Sequence, residues 1–386
     1  MNATSGPLHD TARCRTAVLV LGPHRSGTSA LTRGLVCAGI DLGRDVLAAN
    51  ADNPKGFFEN ARLVEFNDRL LKHLGLCWDS FGHSDLAGRL ADLPPDWRNE
   101  AATLIRSQFG PDSDIAVKDP RLCLLAPFWD GVLDEAGYRR QYVLVIRHPV
   151  ECAESQRRRH VADPRFHFVG GSITEGVLLW ASYMEAALRF LADRPFLCAS
   201  HAALIDDPST SLGALLTQLG FCAPAAELQE FIHGFIDPAL YHHRADAATT
   251  DRADGFSPYV QVYQDLLAPR PDAAALGRRL ERLIASDAAL LGTTQRCYVR
   301  ARHAAVEAGL ELLEAKRIIA FQEHMLAENQ RKIEEHQNQL DEAKRQFAAE
   351  RRKSEELAVA LAACEDRRRV TGPAPRPAKH HPEGRR

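Results

Sequence analysis

The residues best suited to chemistry lie in the stretch Ala17–Leu31, which reads AVLVLGPHRSGTSAL. Its first part, Ala17–Leu21, is short and wholly apolar, the pattern of a buried parallel strand. Gly22 and Gly27 follow, and the segment after Gly27 has the apolar spacing of a helix. A strand, a glycine-bearing loop and a helix N-terminus bring backbone N–H groups and a positive dipole end to one point. The stretch therefore predicts phosphate binding.

The cation of this loop is not where ATP-binding loops have it. Thr28 stands where the Walker A pattern has lysine, and Arg25 lies inside the loop instead. The loop therefore predicts a phosphate ligand other than ATP. A simple glycine turn between a strand and a core helix is the alternative that this stretch alone leaves open.

A second candidate anion site follows the strand predicted at Gln141–Ile146. Arg147 ends that strand, Pro149 suits the first turn of a helix, and Ser155 falls about two turns further on. A guanidinium and a hydroxyl suit a second phosphate. The alternative is a surface salt bridge and a solvated serine. Three more arginines follow, either as a solvated face or as anion contacts: Arg157, Arg158 and Arg159.

The order and spacing of these motifs resemble those of sulfotransferases that use 3′-phosphoadenosine-5′-phosphosulfate (PAPS). Arg25 before Ser-Gly-Thr-Ser is similar to the family's 5′-phosphosulfate loop, and Arg147 with Ser155 eight positions later is similar to its 3′-phosphate pair. The resemblance covers about residues 17–245 and is to the broad bacterial family. It implies a P-loop-like fold and PAPS as cofactor, without a metal. The implied cofactor-binding residues are Arg25, Ser26, Gly27, Thr28, Ser29, Arg147 and Ser155.

The same resemblance suggests two catalytic residues besides Arg25. Lys118 ends a predicted strand in Lys-Asp-Pro-Arg, a motif similar to that of tyrosylprotein and carbohydrate sulfotransferases. A fixed cation there would stabilise the negative charge that develops during sulfuryl transfer. The alternative is that Lys118 pairs with Asp119 or another carboxylate and orients the loop. Some positions depart from the family pattern: His148 and His201 replace its usual residues, and a late Arg-Lys-Gly motif is absent.

Glu59 is the candidate base for the acceptor hydroxyl. It lies in Asn-Pro-Lys-Gly-Phe-Phe-Glu-Asn, a context that resembles the glutamate base of several family members, and its aromatic neighbours could raise its pKa by desolvation. The alternative is that Glu59 or Asn60 caps the helix predicted to begin near Ala61. His73 and His83 are weaker candidates for the base.

Strands and helices alternate along the chain, which predicts an α/β fold with a doubly wound parallel sheet. The glycine-bearing loop, the Lys118 motif and Arg147 each follow a predicted strand, and ligands of such sheets bind at the carboxyl ends of the strands. The strands are predicted at 17–21, 115–117, 141–146 and 196–199, and the main helices at 61–76, 174–191 and 209–219.

The C-terminal part differs in kind. Apolar residues fall on one seven-residue repeat there, which Ser354 interrupts: Leu312, Ile319, Leu326, Ile333, Leu340, Phe347 and Leu361. The positions three later are mostly polar. This pattern predicts a long helix that forms a weak coiled coil, which could form a homodimer or dock a partner, or a solvated single helix. We expect a flexible leader at 1–16, a sulfotransferase domain at 17–300, the helix at 301–368 and a disordered tail at 369–386.

Composition bounds the remaining possibilities. A net charge of −3 over 386 residues gives no basic field for nucleic acid, and nine scattered cysteines without a CxxC pair fit reduced thiols. The sequence contains no apolar run as long as a membrane span, so we expect a cytoplasmic protein. The predicted function is transfer of a sulfuryl group from PAPS to a hydroxyl of a glycan or glycolipid. The alternatives are a P-loop kinase or NTPase, and a non-enzymatic nucleotide-binding scaffold.

Overall fold

The computed structural model describes residues 15–49, 55–80, 85–162, 171–237, 256–290 and 292–370. The chain divides into two compact units, Met1–Val306 and Glu307–Arg386. The predicted leader and tail, together with His83, lie largely or wholly outside the described residues.

Four parallel strands form the sheet of the first unit: β1 (Thr16–Leu21), β2 (Ile115–Lys118), β3 (Arg139–Ile146) and β4 (Leu197–Ser200). Their order is β2-β1-β3-β4, so the chain crosses from one side of β1 to the other between β2 and β3. Each strand lies close to its predicted position because the apolar runs that form them are short and bounded by polar motifs.

Helices cover both faces of the sheet. In chain order they are α1 (Thr28–Val36), α2 (Ala61–His73), α3 (Leu86–Ala91), α4 (Pro95–Gln108), α5 (Leu122–Glu135), α6 (Pro149–Ala162), α7 (Ile173–Leu191), α8 (His201–Asp206), α9 (Pro208–Leu219), α10 (Ala225–Glu230), a π-helical turn (Phe231–Phe235), α11 (Ser257–Leu266), α12 (Ala273–Leu290) and α13 (Gly292–Val370).

Alternate residues of the strands belong to two separate hydrophobic clusters. Leu19 of β1 and Val117 of β2 pack in a large cluster with residues of α2, α5 and α7, whereas Val18 and Val20 pack in a smaller cluster with residues of α1 and α9. Because side chains of a strand alternate between faces, the two clusters lie on opposite faces of the sheet. The predicted fold class, a doubly wound parallel α/β sheet followed by a long C-terminal helix, is confirmed.

The second unit consists of the larger part of α13, which begins before the predicted start at 301 and ends at Val370. Within the described residues, no helix is both long enough and apolar enough to cross a membrane.

Candidate active site

The loop between β1 and α1 has the backbone geometry of an anion cradle. Arg25 and Gly27 both have positive φ, at 68° and 93°, and Gly27 occupies the N-cap of α1. Because Gly27 has no side chain, no side-chain oxygen caps the first turn of α1, the end of a helix at which backbone N–H groups can bind an anion. The buried Ser26 hydroxyl donates to the carbonyl of Pro23 at 2.7 Å and so fixes the turn.

Arg25, Ser155 and Arg147 come together at this loop, although Arg25 lies 130 residues from Ser155 and 122 residues from Arg147 along the chain. The Nε of Arg25 donates to Oγ of Ser155 at 2.9 Å, and Nη1 of Arg147 donates to the backbone carbonyl of Arg25 at the same distance. Arg147 is buried and is oriented by Glu151, whose carboxylate lies 3.1 Å from its Nε. Two guanidinium groups and one hydroxyl thus surround the N-terminal end of α1.

Lys118 connects this loop to the segment before α2. Its ammonium donates to Oγ of Ser29 at 3.1 Å, to the carbonyl of Phe57 at 2.8 Å and to the carboxylate of Glu59 at 2.5 Å. The side chains of Lys118 and Glu59 are only 2% and 9% exposed. Burial raises the pKa of Glu59, and the ammonium of Lys118 opposes this increase.

Neighbouring residues decide two of the alternatives that the sequence left open. Asn60, and not Glu59, caps α2, because its side chain accepts from the backbone N–H groups of Arg62 and Leu63. Lys118 pairs with Glu59 rather than with Asp119. The Asp119 carboxylate instead accepts from Asn67 at 2.8 Å and is paired with Arg121 at 2.9 Å, so it orients the turn after β2.

Sequence reasoning missed His24, which lies inside the loop next to Arg25. Its ring packs edge-on against Trp78 and Tyr183, at centroid distances of 4.7 and 5.3 Å. Burial lowers the pKa of His24 well below its usual range, and four cations around the loop lower it further: Arg121, Arg159, Lys118 and Arg25. The sequence did place His24 inside the predicted phosphate-binding loop, between Pro23 and Arg25, and this position could have indicated a residue of the site.

His201 was also missed as a contact of the loop. A Cβ built on Gly27 would clash with Cδ2 of His201, so the imidazole packs directly on the glycine. Burial, followed by the charge of Arg147, lowers the pKa of His201 to about 3, which keeps the ring neutral beside the guanidinium groups. His73, one of the two weaker candidates for the base, is an exposed residue of α2 that packs on Trp97.

The three arginines of α6 differ in their surroundings. Arg157 forms an ion pair with Glu154 on the same helix, at 3.1 Å. Arg159 is close enough to His24 to lower its pKa, so it contributes to the positive potential of the site. Several cations therefore lie around the loop, and two of them, Lys118 and Arg147, are paired with the carboxylates of Glu59 and Glu151.

No protein-family model matches the chain, and no curated protein matches it. Among solved structures, the chain is similar to the sulfotransferase domain of the Synechococcus PCC 7002 olefin synthase, with 17% identity, 70% of this chain and 95% of that chain covered, and a TM-score of 0.35. It is also similar to a sulfotransferase domain from the curacin biosynthetic pathway. The identity is 15%, the match covers 71% of this chain and 98% of that chain, and the TM-score is 0.37.

A third similar structure is the sulfotransferase STF1 from Mycobacterium tuberculosis H37Rv, with 15% identity, 63% of this chain and 78% of that chain covered, and a TM-score of 0.36. All three are described as sulfotransferases, the family that the loop motifs resemble. Similarity at these TM-scores carries no functional argument, so the function is inferred from the geometry of the site.

Proposed function

We propose that this protein is a PAPS-dependent sulfotransferase that acts on an acceptor hydroxyl. The observation that carries the proposal is the meeting of Arg25, Arg147 and Ser155 at the N-terminus of α1, where Nε of Arg25 lies 2.9 Å from Oγ of Ser155. This arrangement offers two guanidinium groups, a hydroxyl and helix N–H groups to a ligand that carries more than one phosphate.

In this proposal the loop from Arg25 to Ser29 holds the 5′-phosphosulfate. Arg147 and Ser155 hold the 3′-phosphate. Because Arg147 is oriented by Glu151 and by its bond to the loop carbonyl, its guanidinium is preorganised and loses little freedom on binding. The donor supplies the sulfuryl group and leaves as the 3′,5′-bisphosphate.

Lys118 and Glu59 act on the acceptor side of the proposed reaction. The Glu59 carboxylate takes the acceptor proton as the new S–O bond forms and the bond to the nucleotide phosphate breaks, its electron pair going to that phosphate. A pKa raised by burial makes Glu59 a stronger base than an exposed glutamate. The Lys118 ammonium, which contacts both Ser29 and Glu59, stabilises the charge that develops between donor and acceptor.

We propose a glycan or glycolipid as the acceptor class to test first, with small alcohols and phenols as the comparison. The second candidate function is a P-loop kinase or NTPase, since a lysine does reach the loop. That lysine comes from β2 rather than from the loop itself, where Thr28 takes the place of the Walker A lysine.

Ligand-dependent thermal stability tests the donor. A ligand that binds the folded protein at a hundred times its dissociation constant stabilises it by about 2.7 kcal/mol, which raises the melting temperature by several degrees. We expect such a shift with 3′-phosphoadenosine-5′-phosphate, and a much smaller one with adenosine 5′-phosphate or Mg-ATP. A transfer assay with radiolabelled PAPS and a panel of hydroxyl acceptors then tests the reaction.

Arg147→Ala should abolish the ligand-dependent shift. Arg140→Ala is the matched control, because Arg140 lies near the opposite end of the same strand and forms ion pairs with Asp130 and Asp134. It should change the melting temperature of the free protein but not the shift. A shift with ATP alone, or none with the bisphosphate, would overturn the proposal.

A further inference from the structure

Helix α13 carries a regular row of exposed apolar side chains. Between residues 326 and 365, the large apolar residues at one heptad position are all more than half exposed, from 55% to 70%: Leu326, Ile333, Leu340, Phe347 and Leu361. The fifth of the six positions of this row is Ser354. Residues seven apart differ by only about 20° around a helix, so these side chains lie along one side of it.

The position three residues later is of a different kind. It holds Asn329, His336, Ala343, Glu350, Leu357 and Cys364, which are polar or small except for one leucine. In the notation of coiled coils, the apolar row occupies position a and this second row occupies position d. Large apolar residues are thus concentrated at position a and nearly absent from position d. This difference restricts which partner helix can cover the row.

A second copy of the same helix fits if it lies parallel and in register. Each a residue then meets its own copy, so Ile333 packs on isoleucine, Leu340 on leucine and Phe347 on phenylalanine. An antiparallel copy would place a residues opposite d residues instead. In the two antiparallel registers that best overlap this segment, Ile333 or Leu340 would face Glu350, which would desolvate a carboxylate against an aliphatic side chain.

The residues that flank the apolar row agree with the parallel arrangement. Lys332 precedes an a residue and would lie near the second copy's Gln337, while Arg351 follows a d residue and would lie near the second copy's Gln346. The like charges that meet across the described part of this interface are the two carboxylates of Glu350, which share one d layer and weaken the pair. The antiparallel registers also bury Glu350, and in addition Lys332 meets Lys353 or Lys344 meets itself.

We propose that residues 326–364 of α13 form a parallel, in-register, two-stranded coiled coil with a second copy of this chain, so that the protein is a homodimer. The polar d layers make the pair weaker than an ideal one while they fix its register. This inference is independent of the proposed enzymatic function.

Two apolar residues of the same helix provide a matched pair of variants. Leu361 belongs to the row and is 66% exposed, whereas Val359 is 71% exposed but lies two positions earlier, about 200° around the helix. Leu361→Lys should raise the dimer dissociation constant at least tenfold, because it places two ammonium groups in one layer. Val359→Lys should leave that constant unchanged.

Sedimentation equilibrium of the full-length protein over a range of concentrations measures both effects. The expected result is twice the mass of one chain for the wild type and for Val359→Lys. The double variant Leu340→Lys/Leu361→Lys should have the mass of a single chain. A wild type that stays monomeric at all concentrations, or a dimer that Leu340→Lys/Leu361→Lys leaves intact, would overturn the proposal.

Cys364 tests orientation and register, because in the parallel pair the two thiols share the last d layer. Mild treatment with diamide, which takes two electrons and two protons from a pair of thiols, should give a covalent dimer. Cys364→Ser reports any contribution of the other cysteines. Cys364→Ser/Val359→Cys moves the thiol to the outer face and should cross-link no faster than Cys364→Ser. Equal cross-linking of the wild type and this last variant would contradict the parallel, in-register arrangement.

Discussion

The buried ion pair between Lys118 and Glu59 allows a quantitative prediction. The two side chains are 2% and 9% exposed and lie 2.5 Å apart. Lys118→Met keeps an unbranched side chain that is only one atom shorter, but it leaves the carboxylate buried without its cation. Removal of one partner of a buried pair typically costs about 3–5 kcal/mol. We therefore expect the free energy of unfolding to fall by about that amount near pH 8.

The pH dependence of this loss follows from the direction of the Glu59 pKa. Burial raises the pKa in the folded protein, and without the Lys118 ammonium it rises further. A carboxyl group whose pKa is higher in the folded state stabilises fully below its unfolded pKa, about 4.3, and this stabilisation is lost as pH rises through the folded pKa. The destabilisation of Lys118→Met should therefore be smaller at pH 5 than at pH 8.

Urea unfolding followed by tryptophan fluorescence reports on the compact unit that contains Lys118, Met1–Val306, because all four tryptophans lie between residues 78 and 180. The double variant Lys118→Met/Glu59→Gln also removes the unpaired carboxylate of Glu59. Its free energy of unfolding should be about 1–3 kcal/mol higher than that of Lys118→Met. Arg62→Met removes an exposed ion pair with Glu65 and serves as the control that should change stability little. A Lys118→Met protein as stable as wild type, or a loss that is the same at both pH values, would refute the reasoning.

Two further substitutions test the proposed donor site. Ser155→Ala removes the hydroxyl that accepts from Arg25 and should weaken binding of 3′-phosphoadenosine-5′-phosphate about 10- to 150-fold in calorimetric titration, as expected for loss of a charge-assisted hydrogen bond. Ser172→Ala, which removes the capping serine of α7, should lower stability by about 1 kcal/mol and leave that affinity unchanged. Gly27→Ala forces a left-handed residue and a clash with the His201 ring, so thermal unfolding should show a loss of at least about 1–3 kcal/mol. Gly27→Ala/His201→Ala should recover only the part due to the clash.

The sheet was predictable because its strands are short apolar runs that end in polar motifs. The predicted strand at 141–146 differs from the observed Arg139–Ile146 only at its first residues, which are charged or polar and partly exposed. The helix predicted to begin near Ala61 does begin there, since Asn60 supplies an N-cap. Local patterns therefore sufficed wherever local contacts determine the structure.

Contacts within the site were less predictable because they join distant segments. Nothing in the sequence near Lys118 indicates that its partner is Glu59, 59 residues earlier, rather than the adjacent Asp119. The choice depends on Asn67 and Arg121, which already satisfy the Asp119 carboxylate. The environment of His24 likewise depends on Tyr183, 159 residues away, whose hydroxyl lies 3.4 Å from its ring nitrogen.

The position of Lys118 explains how this loop can do without the lysine of ATP-binding loops. Its ammonium reaches Ser29 from the neighbouring strand β2, so a cation still lies at the start of α1. A lysine inside the loop would be oriented by the loop alone. Lys118 is held instead by Glu59 and by the carbonyl of Phe57, both in the segment that leads into α2. Lys118 is therefore positioned by the segment that is proposed to meet the acceptor, so a change in the residues that hold it there should also alter the electrostatics at the start of α1.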